Sequence, residues 1–134
     1  MANLLSTSLN GGTIEKSNSA AAQVSGTTVS IDISTANFFQ LDLQSASGNI
    51  ATFTIAGVKS GYMNSFVLKI ITHLASSNPD VFRQFNWASL SAFKWSGGSA
   101  PTLTTTDNAV DILSFITYDN GTTWYGNLVG VDFQ

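Results

Sequence analysis

The chain has 134 residues; 49 of them are Ser, Thr, Asn or Gln, whereas 10% are charged and 43% hydrophobic. That balance fits one domain with a core of its own and excludes a disordered chain. The net charge is −3, with Lys16, Lys59, Lys69, Arg83 and Lys94 scattered; this excludes a nucleic-acid partner, because binding phosphates needs clustered cations.

Other classes fall away on residue chemistry. There is no Cys, which removes disulfides and thiolate metal sites. No stretch approaches the ~20 apolar residues of a membrane-spanning helix, so no membrane partner is expected. Residues 1–6 lack the basic and apolar regions of a secretory leader, and the expectation is synthesis in a cytoplasm.

Residues 1–26 are rich in Ser, Ala, Gly and Asn and poor in large apolar side chains. They read as an extended N-terminal arm or a leading strand, with residues 27–134 as the folded domain. From Thr27 the hydrophobic period becomes two. Val29, Ile31 and Ile33 share one face; Phe39, Leu41 and Leu43 follow; then Ala51, Phe53 and Ile55; then Phe66, Leu68 and Ile70. Such alternation, broken at Ser47-Gly48-Asn49 and Ser60-Gly61, predicts half-buried strands in an antiparallel system. After Asn78-Pro79 the residues allow either one helical turn over 81–85 or a loop leading into a strand at 85–88.

The last third holds the sharpest local signal. Residues 111–118 and 122–131 flank Asn120-Gly121, a pair favoured where both central turn positions need positive φ. A two-residue turn there places Leu113 opposite Leu128, Phe115 opposite Gly126, Ile116 opposite Tyr125 and Ile112 opposite Val129, with Phe115 covering the bare backbone of Gly126. Both hairpin faces are then apolar, so one must be covered by a second sheet or by another subunit. Seven or eight short strands with regular turn signals predict an all-β single domain, an antiparallel β-sandwich of jelly-roll type.

No catalytic, cofactor or metal site is expected. His73 is the sole histidine; a triad with Ser76 or Ser77 and Asp80 lacks the glycine framework of a nucleophile elbow. Asp107 and Asp111 do not have the spacing of a calcium loop. Aromatic residues raise one further possibility, because ring faces suit the C–H face of a sugar; Trp95, beside a Ser-Gly-Gly turn, and Tyr125 are the candidates, against the ordinary role of such residues as core and interface fillers.

The run Phe93-Lys94-Trp95-Ser96-Gly97-Gly98, the Pro101-Thr102-Leu103-Thr104 stretch, Asp111-Ile112-Leu113-Ser114-Phe115 and Gly121-Thr122-Thr123-Trp124-Tyr125-Gly126 together resemble a terminal module of tailed-bacteriophage virion structural proteins. The resemblance covers residues 93–130, with Ser96 where many members carry Pro. It implies a structural protein of the virion and no enzyme. Its members include small capsid decoration, or cement, proteins and tail-fibre components. A fibre needs an attachment segment and a shaft, so the length of this chain favours a decoration protein that binds the major capsid protein of the assembled head, as a homotrimer. The alternative is a tail-associated module that binds a receptor glycan. Interface candidates are Trp95, Ile112, Ile116, Tyr125 and Val129.

Overall fold

Alternating side chains of β-branched and aromatic residues build sheets because each strand offers one face to a core. The computed structural model describes residues 19–76 and 78–134, and these form an all-β fold. The strands are β1 (Ser19–Ala21), β2 (Gln23–Ser25), β3 (Thr28–Asp32), β4 (Phe38–Asp42), β5 (Thr52–Ala56), β6 (Asn64–Thr72), β7 (Leu74–Ala75), β8 (Asn78–Phe82), β9 (Phe93–Trp95), β10 (Ala109–Thr117) and β11 (Trp124–Phe133). Among the described residues the helical content is two 3-10 turns, Trp87–Ser89 and Ser96–Gly98.

One sheet has six strands in the order β1-β4-β6-β10-β11-β9; a second has the order β2-β3-β5; β7 and β8 make a short ribbon. The core lies between the two larger sheets. Val29 and Ile31 of the smaller sheet meet Phe39, Leu41, Phe66, Leu68, Leu113 and Phe115 of the larger. Phe53 links the two layers, its ring 6.0 Å from Phe66 and 5.4 Å from Phe93. Phe66 and Phe115, opposite each other on β6 and β10, stack at 4.8 Å. Aromatic pairs of this kind add to the burial term that dominates folding.

The expected antiparallel arrangement is corrected to a mixed one. β3 pairs with β5, β4 with β6, β1 with β4 and β9 with β11 in parallel; β6–β10–β11 and β2–β3 are antiparallel. Parallel neighbours need a crossover between them. For two of the pairs a strand of the opposite sheet supplies it: β4 lies between β3 and β5 in sequence, and β5 between β4 and β6; between β9 and β11 it is β10 of the same sheet. Alternation specifies which face is buried but not strand direction, so the period-two pattern was silent on this point.

One other expectation changes. The helical turn expected over 81–85 and the strand expected at 85–88 are both absent: residues 78–82 are a strand paired antiparallel to β7, Phe85 makes a single isolated bridge to Ile50, and a 3-10 turn covers Trp87–Ser89. The segment 1–26, expected as an arm or leading strand, begins outside the described residues, and its described part is strand: β1 pairs with β4, β2 with β3, and Ala20, Ala22 and Val24 pack on the core.

Candidate interaction surface

The C-terminal hairpin positions most of the predicted surface. Asn120 and Gly121 both take positive φ, 59° and 82°, and the Thr122 N–H donates to the Asp119 carbonyl at 3.2 Å. This is the tight two-residue turn that Asn-Gly favours. Side chains carry the hydrogen bonds just inside it. Thr117 Oγ1 accepts from the Gly121 N–H at 3.0 Å, and Asp119 Oδ1 accepts from the Thr123 N–H at 2.8 Å. That backbone donor is the main reason the Asp119 carboxyl sits below the ordinary aspartate value, since it favours the charged form.

Leu113 opposes Leu128, Phe115 opposes Gly126, and Ile116 opposes Tyr125, as the turn predicts. Ile112 opposes Gly130 rather than Val129. Val129 is the extra residue of a β-bulge, and a second register shift follows between Ile112 and Val110. Asp111 accounts for the break. Its fully buried carboxylate accepts from the Thr104 N–H (2.7 Å), the Thr104 hydroxyl (2.8 Å) and the Asp132 N–H (2.9 Å). A side chain thus replaces a ladder partner for Asp132, which has φ of 56°.

Gly126, the cross-strand partner of Phe115, is covered most closely by Trp95. A β-carbon at position 126 would come 2.5 Å from the Trp95 ring, and the strand pairing sets Trp95 beside Gly126. The indole also meets Trp87 at 4.7 Å and Phe115 at 5.6 Å, both edge-on. Trp95 is therefore a half-buried wall of the core, separated from the other interface candidates. Its Nε1 is the one buried side-chain polar atom without a hydrogen-bond partner among the described residues.

Ile112, Ile116 and Tyr125 lie on the outer face of the six-stranded sheet, with the bulged Val129 exposed beside them. Register places Phe38, Val67, Ser114 and Asn127 in one row, with Ser65, Ile116 and Tyr125 beside them. Gln40, Lys69, Ile112 and Gly130 form the next row, and Asp42, Ile71, Val110 and Phe133 the last. Lys69 and Asp42 are the only charged residues in these rows. Tyr125 is 52% exposed, Val129 57% and Phe133 50%. A groove of about 540 Å³ crosses the first rows from Phe38 to Tyr125 over Val67, Ser114 and Ile116. Phe38, Val67 and Ile71 were missed as surface residues; their signal is an apolar side chain in the phase of each strand that should be polar.

A second exposed cluster lies at the loops. Asn64 fastens the 59–64 loop, its Oδ1 accepting from the Lys59 N–H and its Nδ2 donating to the Lys59 and Tyr62 carbonyls. Asn120 Oδ1 accepts from the Gly61 N–H at 2.9 Å, so this loop and the hairpin turn are joined. Tyr62, Met63 and Tyr118 are exposed there.

Of the residues weighed for a triad, His73 and Ser76 are described. His73 Nδ1 lies 3.2 Å from Asp107 Oδ1 and Nε2 3.6 Å from Asp42 Oδ2, while the Ser76 hydroxyl donates to the Gln44 carbonyl. Ser77 and the Asp80 side chain lie outside the described residues. The hydrogen bond from His73 is the largest cause holding the Asp107 carboxyl below its usual value. Among the described residues there is no cluster of three or more His, Asp or Glu able to hold a metal ion, and no helix long and apolar enough to cross a membrane. No protein-family model, curated protein or solved structure matches the chain.

Proposed function

We propose that this chain is a structural protein of a tailed-phage virion, most simply a capsid decoration protein that binds the major capsid protein and stabilises the assembled head. In this reading it is no enzyme, works in the virion after assembly in the host cytoplasm, and associates as a homotrimer. The two packed sheets are read as a β-sandwich of jelly-roll type.

The observation that carries the reading is the apolar outer side of the β10–β11 hairpin, with Ile112, Ile116, Tyr125 and Val129 left partly or largely exposed. Few charges and a large apolar sheet face suit a protein whose surface is shared with neighbours. The resemblance of residues 93–130 to phage virion modules supplies the kind of neighbour. Within that module Trp95, Gly126, Asn120, Gly121 and Trp124 are all spent on packing and turn geometry, which suits a module selected for assembly.

Co-sedimentation of the full chain with empty, assembled phage heads tests this, with saturation at a fixed number of copies per shell as the expected result. Absence of binding to shells, together with adsorption to host cells or retention on a glycan array, supports the tail-associated alternative instead.

A further inference from the structure

The Asn120-Gly121 turn carries a chemistry that the outer face does not use. Where glycine follows asparagine, the glycine nitrogen can attack the asparagine Cγ. An N–C bond forms, the carboxamide nitrogen leaves as ammonia with the proton that the backbone amide gives up, and a succinimide ring remains. Water then adds to either ring carbonyl and opens the ring to aspartate or isoaspartate. Glycine allows the approach because no side chain crowds its nitrogen. Two groups must be free for this reaction: the Gly121 N–H, and the Asn120 side chain that swings onto it. Both are held. The Gly121 N–H donates to Thr117 Oγ1 at 3.0 Å, and the Thr117 hydroxyl donates to Asp119 Oδ1 at 2.9 Å. Asn120 Oδ1 accepts from the Gly61 N–H at 2.9 Å, and Asn64 fastens the loop that carries Gly61. Thr117 and Asn64 are cross-strand partners on β10 and β6, so one opposed pair of residues anchors both halves of the clamp.

We infer that Asn120 is a self-modification site that the fold keeps latent, released when the 59–64 loop lifts from the hairpin turn. Thr117 is fully buried, so its hydroxyl is fixed in place. Asn120 and Gly121 both have positive φ, and in a turn of this type the ring closes only after the peptide between them rotates, which breaks the Thr117 bond. The Asn120 carboxamide must also leave Gly61. The clamp works in the same way whatever the outer face binds. Once conversion occurs it is not undone. It adds a negative charge beside Asp119, and isoaspartate lengthens the backbone by a methylene in a turn whose two residues set the register of β10 against β11. The hairpin that places Ile116 opposite Tyr125 then loses the turn that aligns it.

Peptide mapping by mass spectrometry of the full chain, held in mildly alkaline buffer, reads the conversion of residue 120 to aspartate and isoaspartate. The folded chain should convert at least about tenfold more slowly than the same chain in urea, because reaction waits on local opening. Thr117→Val keeps the shape of the side chain and removes its hydroxyl, and Asn64→Ala frees the loop. Each should speed conversion about fivefold, as the loss of a hydrogen bond that holds the closed state, whereas Thr117→Ser should stay near the native rate. Should Thr117→Val fail to fold, Asn64→Ala carries the test. Ile70→Val is the control for global unfolding: Ile70 is buried, six positions along β6 from Asn64, so about 20 Å from the turn. It should change the rate by less than about twofold. Equal rates in the folded and unfolded chain, no conversion in urea, an unchanged rate in a folded clamp variant, or equal acceleration by Ile70→Val would overturn the inference.

Discussion

Trp95 and Gly126 are a fitted pair: a β-carbon at position 126 would come 2.5 Å from the indole ring, too close to be accommodated without a shift. Gly126→Ala should therefore act as overpacking and cost about 1–3 kcal/mol. Trp95→Ala opens space under the same strand, so the double variant should be less destabilised than the sum of the two single changes. Urea unfolding of the four proteins measures this; strict additivity would mean that the contact does not determine the glycine.

Trp124 and Tyr125 are neighbours with opposite fates. Trp124 is 3% exposed, its ring 5.2 Å from Phe66, and Trp124→Ala should cost roughly 3–5 kcal/mol as a large aromatic truncation. Tyr125→Ala should leave the melt almost unchanged. A saccharide-binding loss in Tyr125→Ala would favour the glycan-binding alternative.

Self-association should depend on the outer rows. Sedimentation equilibrium of the full chain should return about three times 14.2 kDa, and Ile112→Lys or Val129→Asp should lower that mass with little change in folding, since a charge placed opposite an apolar partner is costly at an interface. A full chain sedimenting as a monomer at micromolar concentration would remove the trimer.

Asp111 is a structural acid. Asp111→Ala leaves the Thr104 and Asp132 N–H groups without their acceptor; a donor left unsatisfied costs about 1–3 kcal/mol, so the variant should lose at least ~2 kcal/mol and loosen the end of β11. Hydrogen exchange at the Thr104 and Asp132 amides should rise first; unchanged protection there would contradict the role.

Asp107 sets a pH response. Its folded value lies below the ordinary 3.8, chiefly through the hydrogen bond with His73, so the charged form is favoured in the folded state. The resulting stability is present above about 3.8 and is lost as pH falls through the lowered folded value. His73→Leu should return the Asp107 titration toward 3.8, read by NMR, and flatten that part of the acid limb. An Asp107 curve unmoved by the substitution would show that His73 is not the cause.

What could be read in advance follows the physics of each signal. Burial faces of β3, β4, β6 and β10 were legible because the side-chain period is local, and the Asn120-Gly121 turn because two adjacent residues encode it. Strand direction was not, since pleating is the same in parallel and antiparallel pairs. Nor was the Ile112–Gly130 register, which depends on Asp111 replacing a backbone partner across 21 positions. Three of the five interface candidates share the outer face because hairpin register alone brings them there. The packing of Trp95 was not legible because its glycine-rich flank reads as an exposed turn, while the residue it covers, Gly126, sits 31 positions away.

The interleaving of β3, β4, β5 and β6 between two sheets has a kinetic meaning. Each successive strand is laid into the opposite layer from its predecessor, so the layers are sewn together and neither can be completed by a contiguous stretch of chain. Pairings such as Phe115 with Phe66 and Trp95 with Gly126 form only after long loops have closed, which slows the search for the native state. Cutting the chain in any loop from β3 to β6 leaves half-sheets on both sides of the cut. The fold is therefore expected to appear and disappear as one unit, with no detachable half that retains its structure.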